Sequence, residues 1–249
     1  MEILERLLNT NSLIFGFLWV GIIMLAAYGL SRYVTAGRIP GAALAILIAL
    51  GLAFLGNEHG LADIGMFSGL AVLGGSMFRD FTVVATAMGA DLGAIKKAGK
   101  AGLAALLTGV VVSFTAGVSV AYFLGYTDAV SLTTIGAGAC TYIVGPVTGS
   151  ALGASSEVIA ISIAAGVVKT LVTTIGTPLV AKRIGLSDAP SAMVFGGLIG
   201  TTSGVVAGLA ATDAKLVPYG AFTATFYTGL GCLLCPSLFY LLIRWMTGA

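Results

Sequence analysis

Residues 147–156 read VTGSALGASS, while residues 202–208 read TSGVVAG and are followed, after two further residues, by ATD at 211–213. Each stretch places a hydroxyl residue before a glycine and a second glycine four residues later. Each then continues with alanine, a hydroxyl residue and a polar residue, and each precedes a long apolar run. This internal repeat predicts that an irregular polar segment followed by a helix occurs twice in the chain.

The composition indicates that most of the surface faces lipid. Of the 249 residues, 58% are hydrophobic and only 9% are charged, whereas about a quarter of the residues in a soluble domain carry charge. The mean hydropathy of +1.06 agrees with this interpretation. The 36 glycines fit membrane helices, in which small residues let backbones approach closely. The chain is therefore predicted to be an integral membrane protein.

Long apolar runs mark the predicted membrane spans. A helix needs about 20 apolar residues to cross the bilayer, and the runs that approach or exceed this length are 13–31, 39–56, 64–90, 101–124, 157–181 and 217–243. Arg79 and Asp80 interrupt the third run, and we interpret them as an internal ion pair. The segments 129–153 and 190–213 differ from these runs because Ser, Thr and Gly crowd them.

The placement of basic residues indicates how those two segments meet the membrane. Lys and Arg favour the cytoplasmic side. If both segments enter the membrane and return as hairpins, one side receives the loops that carry Arg32, Arg38, Lys96, Lys97, Lys100, Lys182, Arg183 and Lys215. Only Arg6 and Arg244 then lie on the far side. We therefore predict two re-entrant hairpins rather than two further crossings.

One crossing separates the two hairpins, so they are predicted to enter from opposite faces. The predicted fold class is an all-α polytopic membrane protein with about six transmembrane helices and two re-entrant helical hairpins in an inverted repeat. Residues 1–249 form one subunit, with N-terminal helices in 1–126 and the hairpin-containing inverted repeat in 127–249. Many secondary transporters have this architecture and bind substrate near the middle of the membrane.

The hairpin tips are the predicted substrate site. Their hydroxyl groups and glycine N–H groups are donors for an anion, and a half-helix that starts at a tip directs its positive end at the cavity. Lys169, in the middle of the span 157–181, is a charge at a costly position and is predicted to face the substrate. The predicted substrate-binding residues are Thr148, Gly149, Ser150, Thr201, Thr202, Ser203, Gly204 and Lys169.

Two alternatives remain open for these residues. Hydroxyl residues and glycines also serve for close helix packing, and Lys169 could pair with a buried acid such as Asp213, Glu157 or Asp80. Sodium, a hard cation, takes oxygen ligands, and a sodium site is predicted from Thr212, Asp213, Ser156 and Gly145. Asp213 could equally be the N-cap of a helix, since Asp is favoured there.

Several strings in the chain resemble the large subunit, MadM, of bacterial malonate:sodium symporters. They are TTIGAG at 133–138, TYIVGPVTG at 141–149, AMVFGG at 192–197, AATD at 210–213, LVPYG at 216–220 and TGLGCLL at 228–234. LAD at 61–63 and MFRD at 77–80 fit as well. The similarity extends roughly from the first span to residue 240 and is densest over 128–236.

The resemblance implies a two-component carrier in the inner membrane of a bacterium. This subunit would import malonate together with sodium, as the coupling ion, and would act with a smaller MadL-like membrane subunit. It implies no enzymatic activity of this chain and no nucleic-acid partner, and a higher oligomer remains open. The alternatives are a membrane subunit of a sodium-pumping decarboxylase, a carrier for another small dicarboxylate, and a structural subunit whose partner holds the site.

Overall fold

The computed structural model describes residues 9–35, 41–53, 55, 63–73 and 92–248. The predicted ion pair of Arg79 and Asp80, most of the third predicted span, and the charges Arg6 and Arg38 lie outside the described residues. The chain divides into two compact units, Met1–Ala85 and Thr86–Ala249. The described residues contain helices and no strand, which confirms the prediction of an all-α fold.

The first unit contains the helices α1 (Ser12–Tyr33), α2 (Gly41–Ala53) and α3 (Gly69–Leu73), with a 3₁₀ turn at Gly65–Phe67. Glycine allows α3 to approach α1, because Gly69 lies against the backbone of Ser12 and Leu13. The rings of Trp19 and Phe67 stack with their centroids 5.7 Å apart. Helix α2 is shorter than the predicted span 39–56, which extends beyond the described residues.

The second unit contains eight further described helices. Helix α4 (Leu92–Phe123) precedes a helix pair, α5 (Ala129–Cys140) and α6 (Val144–Leu152). Helix α7 (Ser156–Val180) precedes a second pair, α8 (Ala189–Ile199) and α9 (Thr202–Ala210). The last two helices are α10 (Val217–Leu234) and α11 (Tyr240–Thr247). A π-helical turn at Cys235–Phe239 joins α10 to α11, where Pro236 lacks the N–H donor of an ordinary turn.

Four segments among the described residues are long and apolar enough to cross a membrane: Ser12–Tyr33, Gly99–Phe123, Ser156–Val180 and Ala214–Thr247. Helices α5 and α8, with 12 and 11 residues, are apolar but only about 18 Å and 17 Å long. The hydrocarbon core is about 30 Å thick, so neither helix crosses it alone. These findings agree with a polytopic membrane protein in which α5 and α8 are re-entrant arms.

Helices α5 and α6 form the first hairpin. Gly145 on α6 faces Gly138 on α5, and the Cα of Gly138 lies 2.9 Å from the place a Cβ of residue 145 would take. One turn further along α6, the methyl carbon of Thr134 lies 2.9 Å from the place a Cβ of residue 149 would take. Because residues later in α6 face residues earlier in α5, these two helices, the arms of the hairpin, are antiparallel.

Helices α8 and α9 form the second hairpin against α10. Gly220, near the start of α10, lies against both Ala192 in α8 and Leu209 in α9. Gly200, which follows α8, lies against the ring of Tyr227, two turns further along α10. Helix α8 therefore runs along α10 from Gly220 to Tyr227, and α9 returns to the level of Gly220.

Helix α4 shows that the hairpins enter from opposite ends. Gly117 in α4 faces Gly136 in α5, and the Cys140 thiol at the end of α5 lies 3.7 Å from the Val110 carbonyl oxygen. Helix α5 is therefore antiparallel to α4. In contrast, Met193 in α8 lies beside Gly102, and Leu198 lies beside Gly109, so α8 is parallel to α4. Helices α5 and α8 both end near the middle of α4, which confirms the predicted inverted repeat.

Each hairpin begins with a glycine, an apolar residue, a hydroxyl residue and an aspartate. Gly125 and Gly185 have positive φ angles of 97° and 67°, which glycine adopts without a steric cost. Asp128 accepts a hydrogen bond from the Ser131 N–H, and Asp188 accepts one from the Ser191 N–H, both at 2.8 Å. The Ser191 backbone N–H and hydroxyl also hold the pKa of Asp188 below its ordinary value.

The structure aligns the two copies of the repeat one helical turn away from the alignment that their sequences suggested. That match paired Gly149 with Gly204. In the structure, the glycine nearest the start of each returning arm is Gly145 in α6 and Gly204 in α9, and a second glycine follows four residues later at Gly149 and Gly208. Because glycine recurs every four residues in both arms, sequence comparison alone does not distinguish the two alignments.

We expect alanine at Gly166 to destabilise the protein and alanine at Gly176 to have little effect, although both lie in α7. A Cβ at Gly166 would overlap the backbone of Tyr142, whereas Gly176 has no atom within 4 Å of that position. Overpacking of this kind typically costs about 1–3 kcal/mol. Thermal unfolding in detergent compares the two variants with the wild type. Equal melting temperatures for the two variants would contradict this packing of the first hairpin on α7.

We also expect Lys100, Lys182 and Lys215 to lie on one side of the membrane and Arg244 on the other. Helix α7 runs antiparallel to α4, so its carboxyl end lies at the same end of the bundle as the amino end of α4. Single cysteines at these four exposed positions are to be labelled with a membrane-impermeant maleimide, in intact cells and in inverted vesicles. The native residues Cys140, Cys232 and Cys235 are replaced by alanine first. Labelling of Lys100→Cys and Lys182→Cys from different sides would contradict the hairpin topology.

Candidate functional site

The tips of the two hairpins meet halfway along α7. Tyr142, in the tip of the first hairpin, lies against Gly166 of α7. Thr201, in the tip of the second, shares a hydrogen bond of 2.7 Å with Thr170 of α7. The tips also contact each other, because the Ser203 hydroxyl donates to the Tyr142 hydroxyl at 3.5 Å. Two breaks in helical structure therefore lie side by side at the level of residues 166–170.

Lys169 lies at this junction and is surrounded by uncharged oxygens. Its ammonium group donates to the Ser113 hydroxyl at 2.8 Å, to the Cys140 carbonyl oxygen at 3.0 Å and to the Tyr227 hydroxyl at 3.4 Å. The nitrogen also lies 5.1 Å from the centroid of the Tyr227 ring, within the range of a cation–π interaction.

No carboxylate among the described residues neutralises this cation. Glu157 and Asp213, which the sequence offered as partners, are both exposed and make no contact with Lys169; Asp80 lies outside the described residues. A charge inside a membrane is expensive unless it is paired or solvated. Within the described residues, this site therefore holds a positive charge whose hydrogen-bond acceptors are all neutral.

Four helices position this lysine. Ser113 belongs to α4, Cys140 ends α5, Lys169 lies on α7 and Tyr227 belongs to α10. The Cys140 carbonyl is available because it lies at the end of α5, where carbonyl groups have no partner within the helix. Tyr227 is fully buried and donates its hydroxyl hydrogen to the Gly109 carbonyl oxygen at 3.1 Å, which orients its oxygen to accept from Lys169.

The returning arm of the second hairpin begins without a side-chain cap. The Thr201 hydroxyl bonds to Thr170 instead of capping α9, and the first backbone bond into the helix runs from the Val205 N–H to the Thr201 carbonyl at 2.8 Å. The N–H groups of Thr202, Ser203 and Gly204 precede that bond, so they point out of the amino end of α9. Such a helix end is suited to binding an anion.

The returning arm of the first hairpin differs, because its amino end is already occupied. The Thr141 hydroxyl accepts from the N–H groups of Ile143 and Val144, both at 3.2 Å. The amino ends of α6 and α9 were both predicted to face a substrate. Of the two helices, α9 therefore has the more available N–H donors.

The predicted substrate residues divide into two groups. Lys169, Thr201, Thr202, Ser203 and Gly204 lie at the junction of the tips. Thr148, Gly149 and Ser150 lie further along α6, where Thr148 and Gly149 are buried and Ser150 is exposed. Their binding of substrate stays a prediction.

The four predicted sodium ligands are not brought together. Ser156 begins α7, whereas Thr212 and Asp213 follow α9, and α9 runs along the carboxyl half of α7. Most of the 25 residues of α7 therefore separate Ser156 from Thr212 and Asp213. Asp213 accepts from the Lys215 N–H at 3.0 Å and thus caps a 3₁₀ turn. Gly145 is buried against Ser162. These positions do not form one ion site in this conformation.

Sequence reasoning did not identify Ser113, Tyr142 or Tyr227. Ser113 carried a usable signal, because it is a polar residue halfway along the span 101–124, at the depth expected of Lys169. Tyr142 adjoins the predicted tip and lies within the quoted string TYIVGPVTG. Tyr227 gave no such signal, since its contact with Lys169 depends on the direction of α10 relative to α7.

Comparison with known proteins agrees with the transporter-like architecture. A family model described as the malonate/sodium symporter MadM subunit matches residues 4–247. Comparisons with curated proteins and with solved structures gave no match. Because the family model covers nearly the whole chain, this protein belongs to the family of malonate/sodium symporter MadM subunits.

Proposed function

We propose that this chain carries malonate across the membrane, coupled to the entry of sodium, and binds it between the two hairpin tips. The observation that carries the proposal is the cation of Lys169, which contacts only neutral oxygens among the described residues. A carboxylate that enters the junction would supply the missing negative charge. Charge-assisted hydrogen bonds are roughly twice as strong as neutral ones.

The junction offers separate donors for two carboxylates. Lys169 would bind one carboxylate, and the N–H groups of Thr202, Ser203 and Gly204 at the amino end of α9 would bind the other. The hydroxyls of Ser203 and Tyr142, which lie 3.5 Å apart, would complete this second group. A small dicarboxylate such as malonate has two anionic ends to match these donors.

Sodium coupling offsets the electrical cost of importing a dianion. At an inside-negative potential of ~100 mV, moving two negative charges inward costs about 4.6 kcal/mol, since each charge contributes about 2.3 kcal/mol. Sodium ions that move in the same direction recover this energy and add that of their own gradient. The family description supports sodium as the coupling ion.

The meeting of the hairpins also suits alternating access. Because the two hairpins enter the bundle from opposite ends, movement of one hairpin would open the junction to one side. Irregular backbone at membrane depth is tolerated where it is buried in protein or lines a cavity, as expected of such gates.

We further propose that the chain works with a smaller MadL-like membrane subunit in the inner membrane of a bacterium and catalyses no reaction itself. The family description as a subunit of a symporter supports the need for a partner. Association into a higher oligomer is to be measured on the complex of the two subunits.

Lys169→Met should reduce sodium-driven uptake of radiolabelled malonate to background, because the substrate loses the one cationic partner that the described residues place at the junction. The measurement uses vesicles that contain this chain and the smaller subunit, with and without a sodium gradient. Lys182→Met, at an exposed position, is the matched control and should transport like the wild type. Sodium movement that requires decarboxylation would favour the pump subunit instead, and normal uptake by Lys169→Met would favour a structural role for this chain.

Ser203→Ala should raise the apparent KM for malonate roughly tenfold, the effect of a lost hydrogen bond to a charged group of about 1.5 kcal/mol. The hydroxyl would contact the substrate, so the amount of folded protein should not change. Ser119→Ala is the control, because Ser119 is exposed and donates within its own helix to the Thr115 carbonyl at 2.8 Å. Wild-type KM values in both variants would place the substrate elsewhere.

A further inference from the structure

Three buried hydroxyl groups in the first hairpin have no hydrogen-bond partner in the part of the chain that the structure describes: those of Thr133 and Thr134 in α5 and of Thr148 in α6. All three residues have an exposed fraction of 0%. A buried polar group without a partner costs about 1–3 kcal/mol, and three such costs in one hairpin call for a ligand. We propose that these hydroxyls bind the sodium ion, an inference that rests on the proposed function and assigns its coupling ion a place.

The behaviour of other threonines in this protein shows that the missing bonds are unusual. In α7, the hydroxyls of Thr170, Thr173, Thr174 and Thr177 each donate to the carbonyl four residues earlier, at 2.6–3.0 Å. Helical threonines commonly satisfy their hydroxyls in this way. Thr133, Thr134 and Thr148 are also helical but do not form this bond, so their oxygens remain available to a ligand.

Thr134 and Thr148 lie at a similar level on the two facing arms of the hairpin. Thr134 directs its methyl group at Gly149, the neighbour of Thr148 in the returning arm, and Thr133 adjoins Thr134. The absence of a side chain at Gly149 and Gly145 lets the two arms approach closely. An ion held by these hydroxyls would be bound by both arms of one hairpin, and movement of the arms relative to each other would change its binding.

The chemistry of these oxygens suits a monovalent hard cation. Residues 129–152 contain no Asp, Glu or His, and no group of three such residues or cysteines occurs among the described residues. Divalent cations usually require carboxylates, so neutral hydroxyl oxygens favour sodium. This assignment moves Thr148 from the predicted substrate site to the ion site and replaces Thr212, Asp213, Ser156 and Gly145 as sodium ligands.

The position of the site also provides a physical link to the substrate. The carbonyl oxygen of Cys140 accepts a hydrogen bond from Lys169. Thr133 and Thr134 lie about 10 Å before Cys140 along α5. At that distance in a membrane interior, the lysine cation opposes sodium binding. A dicarboxylate at Lys169 reverses the local charge, so each ligand should strengthen the binding of the other, as linkage requires.

The test measures thermal unfolding of the purified full chain with its smaller subunit as sodium chloride replaces choline chloride at constant ionic strength. Sodium should raise the melting temperature of the wild type. Thr134→Val and Thr148→Val, which delete one hydroxyl each, should need at least about tenfold more sodium for the same rise, equivalent to ~1.4 kcal/mol. Thr134→Ser and Thr148→Ser, which keep the hydroxyl, should respond almost like the wild type.

Thr177→Val is the matched control, because Thr177 is equally buried and its hydroxyl bonds within its own helix. It should retain the wild-type dependence on sodium. Binding of radioactive ²²Na⁺ at equilibrium to each folded variant gives a second measurement that does not depend on transport.

Three results would overturn the assignment. The first is a wild-type melting temperature that sodium and choline affect equally. The second is the same loss of sodium response in Thr177→Val as in the hairpin variants. The third is valine variants that are more stable than the wild type and keep ²²Na⁺ binding, which would mean that the hydroxyls hold only water. Stabilisation by malonate in choline chloride is measured in parallel, so that failure of the substrate site is distinguished from failure of the ion site.

Discussion

The ammonium group of Lys169 imposes the strongest constraint on the second unit. An ammonium group at that depth must be surrounded by oxygens, and here Ser113, Cys140 and Tyr227 provide them from three different helices. Helix α5 must end where its last carbonyl reaches the lysine, and α10 must present the Tyr227 hydroxyl at the same level. The break in the first hairpin and the position of the charge are thus one structural feature.

Glycine makes this convergence sterically possible. Gly166 admits the backbone of Tyr142, Gly200 admits the ring of Tyr227, and Gly109 admits the backbone of Gly197 and Leu198. Each contact lies near the junction, where two broken helices and two long helices share one level. A Cβ at these positions would separate the helices and remove oxygens from the lysine, so close packing and electrostatics depend on each other.

The two hairpins share a plan but differ in chemistry. In the first, the Thr141 hydroxyl accepts from the Val144 N–H at the start of the returning arm, and three hydroxyls within the hairpin lack a partner among the described residues. In the second, Thr201 bonds to α7 and leaves the amino end of α9 uncapped. In the proposals made above, the first hairpin binds the cation and the second binds the anion, so the two copies of the repeat differ in function.

The sequence by itself determined the all-α membrane class, the two hairpins and their opposite orientation, because apolar run length and the placement of Lys and Arg reflect the bilayer directly. It also identified Lys169 and the tip residues 201–204 as a group worth testing, and the strings quoted above indicated the family. Only the tertiary structure decided the register of the repeat, the neutral surroundings of Lys169 and the separation of Ser156 from Asp213. These features depend on which helix faces meet across long sequence distances, and an apolar helix in lipid carries no polar face that would reveal its neighbours.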